Sequence, residues 1–376
     1  MDVIHMNTKE ISRSNICCIA DSYYQLLNLL SIIYHQIDAD GNNIDLYVNS
    51  NLLENNNLVF EKIKCFWGIK NTYRVFLKDD HSIKQIYMRF CTPNKYVLER
   101  TDNKEFQYEM YDRIYLANPT HFALSIILCN KSADVIYYED GLGSYYLDLI
   151  KYEYPLYQRL LYSIVGNDLR RTYPSKIYLN SIDMYNGRMT NNVYCNLMLG
   201  DNDEEYIKLI HSVFTIDTDK YKDKKVVYIT QPLYTIKSYK SENKKILDNI
   251  ENVLFSRKDL LVRVHPMDKT EYNLPEKIID RACGNWELVS EKTIGNKSVM
   301  IGFYSTAQFI PKLLYQREPF VVFFYRLFPG LVDINELVQM EKTIGFLKSQ
   351  YNNKEKILVP ESLSEMISML EGLKDD

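Results

Sequence analysis

An apolar run at 15–20 leads into Asp21 and Ser22 and then into the stretch 23–34, where leucines and isoleucines recur at helical spacing. A strand-length run, a capping pair and a helical repeat predict a β-loop-α unit. The alternation continues with strand candidates at 44–48, 113–117 and 135–138 and helical stretches near 53–66 and at 121–129. Strands that alternate with helical patterns predict an α/β fold with a mostly parallel sheet covered on both faces. The charged, aperiodic segment 215–225 interrupts this pattern, which restarts with a strand at 226–230. A helix at 242–254 and a strand at 260–264 follow, then a strand or strand edge at 286–289 and a strand at 299–302. A helix starting at Ser305 and a strand at 320–324 complete a second α/β unit. Two Rossmann-like domains are expected, 1–220 and 221–376. The stretch 361–373 carries Leu363, Met366, Ile367, Met369 and Leu370 at helical spacing, and a terminal helix of this kind is expected to pack back on the first domain.

The length of 376 residues also favours two domains, and 46% hydrophobic with 25% charged residues is the balance of a folded globular chain. A net charge of −4 provides no general basic field, so sequence-independent nucleic-acid binding is excluded and any anionic ligand must be held locally. The seven cysteines are odd in number and show no C-x-x-C spacing, which argues against a disulfide framework and a structural zinc site. No basic segment runs into an apolar one at the start, and no window reaches the ~20 apolar residues that span a bilayer, so a cytoplasmic protein is expected. Of the 32 tyrosines, several stand in pairs at 23–24, 137–138 and 145–146. Interior packing accounts for most, and sugar stacking stays open for a few.

Two strand ends carry chemistry. The run Val135-Ile-Tyr-Tyr138 stops at Glu139-Asp140-Gly141, and the run at 260–264 stops at His265-Pro266. Residues at the carboxyl end of a parallel strand project into the groove where substrates of α/β proteins bind. An acidic turn is the plain reading of Glu139-Asp140-Gly141. Two adjacent carboxylates also repel, which raises the pKa of one and suits a general base for a sugar hydroxyl. Pro266 stiffens the segment that presents His265, whose plain reading is a hydrogen bond to backbone. His5, His35, His81, His121 and His211 show no paired spacing. The segment Ile301-Gly-Phe-Tyr-Ser-Thr-Ala-Gln308 reads as strand, hydroxylated turn and helix. Ser305 and Thr306 there either cap the helix or hold a phosphate at its positive end. The triplets Asp38-Ala-Asp40 and Asp217-Thr-Asp219 lie in polar loop sequence, which makes them weak metal sites. Gly141-Leu-Gly143 falls short of a dinucleotide fingerprint.

In their order, Glu139-Asp140-Gly141, His265-Pro266 and Ser305-Thr306 resemble the motifs of bacterial sialyltransferases, with the lipooligosaccharide type of glycosyltransferase family 52 the closest in pattern. The capsule polysialyltransferases and the marine-type group share this order. Ala20-Asp-Ser-Tyr-Tyr-Gln-Leu-Leu-Asn28 also resembles the family 52 opening, so the resemblance covers 17 to about 310. It implies a GT-B-like fold whose two domains face a central cleft, the acceptor on the first and CMP-sialic acid on the second. It implies metal-independent transfer of sialic acid, with inversion, to a terminal galactose of a lipooligosaccharide or capsule glycan, with no cofactor beyond the donor. Asp140, or failing that Glu139, would be the base, and His265 would stabilise or protonate the departing phosphate. Gly141, Arg263, Pro266, Glu287, Ser305 and Thr306 fall on the donor side, with Arg263 placed beside His265 by strand alternation and Glu287 on the ribose. Ser22 and Gln25 fall on the acceptor side. The resemblance also implies a homodimer and a peripheral position at the inner membrane face. A hexosyltransferase of the same fold, or a non-catalytic glycan-binding protein, remains open at this level.

Overall fold

Short, mostly apolar runs form the inner strands, as expected where helices cover both faces of a parallel sheet, and most edge strands are more polar. The computed structural model describes residues 14–38, 41–52, 57–77, 82–146, 156–164, 168–185, 195–196, 203–214, 216–281 and 285–373. His5, His81 and Asp40 lie outside them. The chain divides into two compact units between Val213 and Phe214.

The first unit holds β1 (Ser14–Ala20), β2 (Asn42–Asn49), β3 (Ile69–Val75), β4 (Arg113–Leu116), β5 (Asp134–Tyr138), β6 (Lys176–Leu179) and β7 (Cys195–Asn196). They form a parallel sheet in the order β3-β2-β1-β4-β5-β6-β7. The helix Tyr23–Gln36 follows β1 and buries Leu26, Leu27, Leu29, Leu30, Ile32 and Ile33 completely, each contributing about 1.5–3 kcal/mol relative to an exposed side chain. Asp45, buried in β2 opposite Cys17, accepts from Asn71 Nδ2 at 2.8 Å and from the Tyr111 hydroxyl at 2.9 Å. Its charge is thereby hydrogen-bonded rather than stranded.

The second unit holds β8 (Val226–Ile229), β9 (Leu260–Arg263), β10 (Ile279–Asp280), β11 (Val299–Gly302), β12 (Phe320–Phe323) and β13 (Ile357–Leu358). This sheet is also parallel, in the order β10-β9-β8-β11-β12-β13. Both sheets therefore have the doubly wound Rossmann order, as the α/β, GT-B-like expectation requires. In each, the chain first winds one way from the central strand and then jumps to its other side. The reversal lies between β1 and β4 in the first unit and between β8 and β11 in the second.

One predicted element is of the wrong type. Residues 286–289 belong to the helix Trp286–Thr293, not to a strand. Trp286, Glu287, Leu288, Val289 and Ser290 are all buried, and a continuous buried run has no periodicity that tells strand from helix. Ser305 does start a turn as expected, but a 3-10 turn, Thr306–Gln308, precedes the short helix Ile310–Tyr315. The helix Leu363–Gly372 belongs to the second unit, where Arg257 Nη1 donates to Leu370 O at 3.1 Å. No helix among the described residues is long and apolar enough to cross a membrane.

Candidate functional site

Ligands of doubly wound sheets bind beyond the carboxyl ends of the strands at the reversal point. In the first unit that position is built from the loops after β1 and β4, and Asp140, just past β5, leans into it. Asp140 Oδ1 accepts from Gln25 Nε2 on the helix after β1, and Oδ2 accepts from Asn118 Nδ2 in the loop after β4. Its backbone N–H donates to Ser144 Oγ at 2.8 Å, which closes the turn. Gly141 has φ +110°, a conformation that side chains disfavour, so the chain can fold back directly behind the carboxylate. Burial raises the pKa of Asp140, and the bonds from Gln25 and Asn118 oppose that rise.

A second carboxylate shares this place. Asp21 follows β1, and its pKa is raised to about 6, first by burial and then by repulsion from Asp140. Gln25 links the two turns, since its Oε1 accepts from the Asp21 backbone N–H at 2.7 Å. Burial raises the proton affinity of both carboxylates, which suits one of them to accept a proton from a substrate hydroxyl.

Glu139 faces the opposite way. It is 1% exposed; Oε1 accepts from the Tyr24 hydroxyl, and Oε2 accepts from the Tyr145 hydroxyl and, at 2.7 Å, from the Asn180 backbone N–H. Burial raises its pKa against these bonds. Its role is to tie the ends of β5 and β6 to the first helix, and it is not placed to reach a substrate. Ser22 is likewise structural, because its Oγ caps the first helix by accepting from Gln25 N at 3.1 Å.

In the second unit His265 lies just past β9, half-buried. Its backbone N–H donates to Thr230 Oγ1 at 3.0 Å, and its Nδ1 accepts from the Met267 backbone N–H at 3.1 Å. Because a backbone amide can only donate, the neutral imidazole must carry its proton on Nε2. Burial lowers its pKa, with Asp268 pulling the other way, so neutral is the resting form. Asp268 is itself fixed, accepting from Thr230 Oγ1 at 2.7 Å, from the Tyr272 hydroxyl at 2.8 Å and from Thr270 N at 3.0 Å. Pro266 is exposed beside it.

Across the reversal point, Gln231 after β8 grips the loop after β11. Its Oε1 accepts from Tyr304 N at 3.0 Å and its Nε2 donates to Tyr304 O. Ser305 next to it forms a capping box: Oγ accepts from Ala307 N at 3.3 Å, and Gln308 Oε1 accepts from Ser305 N at 3.1 Å. Ser305 keeps its O–H to donate, and Thr306 is half-buried beside it.

Two donor-side expectations fail. Arg263 ends β9, so strand alternation no longer governs 264 and 265, and its guanidinium is buried in an ion pair with Asp280 beneath the Trp286 ring, 5.7 Å from the ring centre. Glu287 is buried in the helix Trp286–Thr293, where burial pushes its pKa up to about 7 and Arg263 draws it down. The Arg263–Asp280 pair supports the packing of that helix on the sheet. Among the described residues no group of three His, Cys, Asp or Glu side chains converges on a metal position. Asp219 pairs with Lys222 at 2.8 Å, and Asp217 accepts from Asp219 N at 2.9 Å. Sequence reasoning missed Asp21, Asn118, Thr230, Gln231 and Asp268. Asn118 carried the same signal as Asp140, a polar residue just beyond an apolar strand.

No protein-family model matches the chain, and no curated protein matches it. Solved structures with a similar course include a sialyltransferase from Photobacterium damsela, at 13% identity, TM-score 0.48, with 92% of this chain and 81% of that one covered. A UDP-N-acetylglucosamine 2-epimerase matches at 11% identity and TM-score 0.45, covering 96% of this chain and 95% of the other. The kitacinnamycin glycotransferase matches at 10% identity and TM-score 0.49, covering 97% and 91%. Likeness at this distance is one of fold, and each activity named is that protein's own.

Proposed function

We propose that the protein is a glycosyltransferase that moves sialic acid from CMP-sialic acid to a galactose-ended glycan, with inversion and without a metal. The observation that carries this reading is Asp140, a carboxylate with raised proton affinity held at both oxygens at the reversal point of the first sheet. In the proposed step an acceptor hydroxyl loses its proton to Asp140 as its oxygen bonds to the anomeric carbon, and the bond from that carbon to the CMP phosphate breaks. His265 Nε2–H donates to the departing phosphate, and Ser305 adds its O–H. CMP leaves as a monophosphate, whose charge these donors can balance without magnesium.

Incubation with CMP-sialic acid and a lactose-ended acceptor, read by mass spectrometry, tests the reading. A sialylated product that forms equally in excess EDTA is expected. Tighter calorimetric binding of UDP than of CMP, with no sialylated product, would replace this donor with a hexosyl nucleotide.

A further inference from the structure

In the second unit, the loop that carries His265 is fastened to the end of β8 by one side-chain oxygen. Thr230 stands one position past β8, is buried, and is fixed by its own N–H, which donates to Arg263 O at 3.0 Å. Its Oγ1 accepts from the His265 N–H at 3.0 Å and donates to Asp268 Oδ2 at 2.7 Å. Both directions are forced, because a backbone amide can only donate and a carboxylate can only accept. Asp268 closes the other side of the histidine, its N–H donating to His265 O at 2.8 Å. His265 is thus gripped at its N–H, at its carbonyl and, by the Met267 N–H, at Nδ1. Its Nε2–H takes no part in this hold.

Turn formation alone does not account for Asp268. An Asx turn uses one carboxylate oxygen, and Oδ1 supplies it by accepting from Thr270 N at 3.0 Å. Oδ2 is turned inward, where the Thr230 hydroxyl and, at 2.8 Å, the Tyr272 hydroxyl donate to it, and the residue is 6% exposed. A turn does not require that a charge be taken out of water, which is costly. Burial pushes the pKa of Asp268 up, but the bonds from Thr270, Thr230 and Tyr272 outweigh burial and leave it below the usual value, so the carboxylate keeps its charge. The charged groups nearby are engaged elsewhere or face solvent. Glu251 accepts from the Tyr228 hydroxyl at 3.0 Å, Arg281 lies 5.9 Å from the centre of the Tyr272 ring and donates to Thr270 O at 2.9 Å, and Lys269 is exposed. Burial depresses the proton affinity of the His265 ring, and Asp268 is the charge that opposes it.

We propose that Asp268 is the positioning residue of His265, orienting the imidazole through the Thr230 hydroxyl and placing a fixed negative charge beside it. With its backbone and Nδ1 already held, the ring meets a phosphate without having to order the loop at that moment, which is where positioning contributes to rate. The carboxylate also restores part of the proton affinity that burial takes from the ring. The proposal rests on the reading of His265 as the group that meets the departing phosphate, while the hold itself exists without substrate and can be measured without turnover.

An NMR titration of the histidine ring signals, with His265 assigned by its loss in His265→Asn, tests the hold directly. Asp268→Asn is expected to lower the pH midpoint of His265 by about 0.5 or more. In the transfer assay it should lower kcat about ten-fold while KM for CMP-sialic acid stays within about three-fold. Thr230→Val keeps the shape and removes the oxygen, so it should shift the His265 signals and lower kcat as Asp268→Asn does. Thr230→Ser returns the oxygen and should return both to wild-type values. A merely structural Asp268 would lower the melting temperature of Asp268→Asn and leave the His265 midpoint in place, and that result overturns the proposal. Where Asp268→Asn does not fold, the Thr230 pair decides, and identical His265 signals in Thr230→Val and Thr230→Ser overturn it. Absence of transfer in the wild type rejects the donor reading, and the titration then still decides whether Asp268 positions His265.

Discussion

Gln25 orients Asp140: its Nε2 donates to Asp140 Oδ1 while its Oε1 is held by the Asp21 backbone N–H at 2.7 Å. An amide held at both ends cannot flip without placing an oxygen against a carboxylate. Asp140→Asn keeps the shape and removes the base, so transfer should fall on the order of 10²-fold or more. Gln25→Ala leaves the base but frees its direction, with an expected loss of about ten-fold, mainly in kcat. Steady-state rates with matched far-UV spectra check both. Equal activity of Asp140→Asn and wild type would remove Asp140 from the chemistry.

The closeness of Asp21 to Asp140 predicts a pH dependence. Asp21 is raised from the usual 3.8 to about 6, so the folded state binds its proton more tightly than the unfolded state does. The contribution of this group to stability is therefore full below about 3.8 and is lost as pH rises through about 6. Asp21→Asn should be more stable than wild type at pH 8, on the order of 1–2 kcal/mol once solvent screening is allowed for, and equal to it below pH ~4. Urea unfolding at the two pH values measures this.

His265 gives the opposite sign. Burial holds its pKa below 6.5, so the neutral ring is favoured in the fold. That contribution is present above about 6.5 and disappears as pH falls from there through the depressed folded value. Asn at this position can accept the Met267 N–H as an Asx turn does, so His265→Asn should keep the loop and lose the acid-sensitive step. Transfer should fall about 10²-fold at constant CMP affinity if the ring acts on the leaving group. A large loss of CMP binding with kcat unchanged would make His265 a binding residue only.

The doubly wound order was readable because each long apolar strand and its following helix obey local rules, as 15–34 and 226–254 show. The sequence reading passed over β3, Ile-Lys-Asn-Thr-Tyr-Arg-Val, because its polar residues hide the period of two. It also passed over β6, β10 and β13, which are too short to stand out. Asp140 and His265 were legible as punctuation at strand ends. What separates Asp140 from Glu139 is not: one residue apart, they point to different neighbours, and only the Tyr24, Tyr145 and Asn180 donors reveal that Glu139 is sealed in. Arg263 misled for a related reason, since its partner Asp280 is 17 positions away and no spacing rule links them.

Gly302 gives a test of the phosphate-side loop that needs no substrate. A Cβ there would sit 2.8 Å from Gln308 Oε1 and 3.2 Å from Ile229 O. Gln308 cannot yield, for it is fully buried and fixed at both ends, accepting from Ser305 N at 3.1 Å and donating to Val322 O at 3.0 Å. Gly302→Ala must therefore break the capping box or spread β8 from β11, at a cost of about 1–3 kcal/mol. Gly295→Ala, where nothing lies within 4 Å, is the control and should shift stability by no more than about 0.5 kcal/mol. If the Ser305 loop grips the donor, Gly302→Ala should weaken CMP binding in a calorimetric titration at a temperature where both variants are fully folded. Unchanged CMP affinity with lowered stability would confine this loop to the architecture of the second sheet.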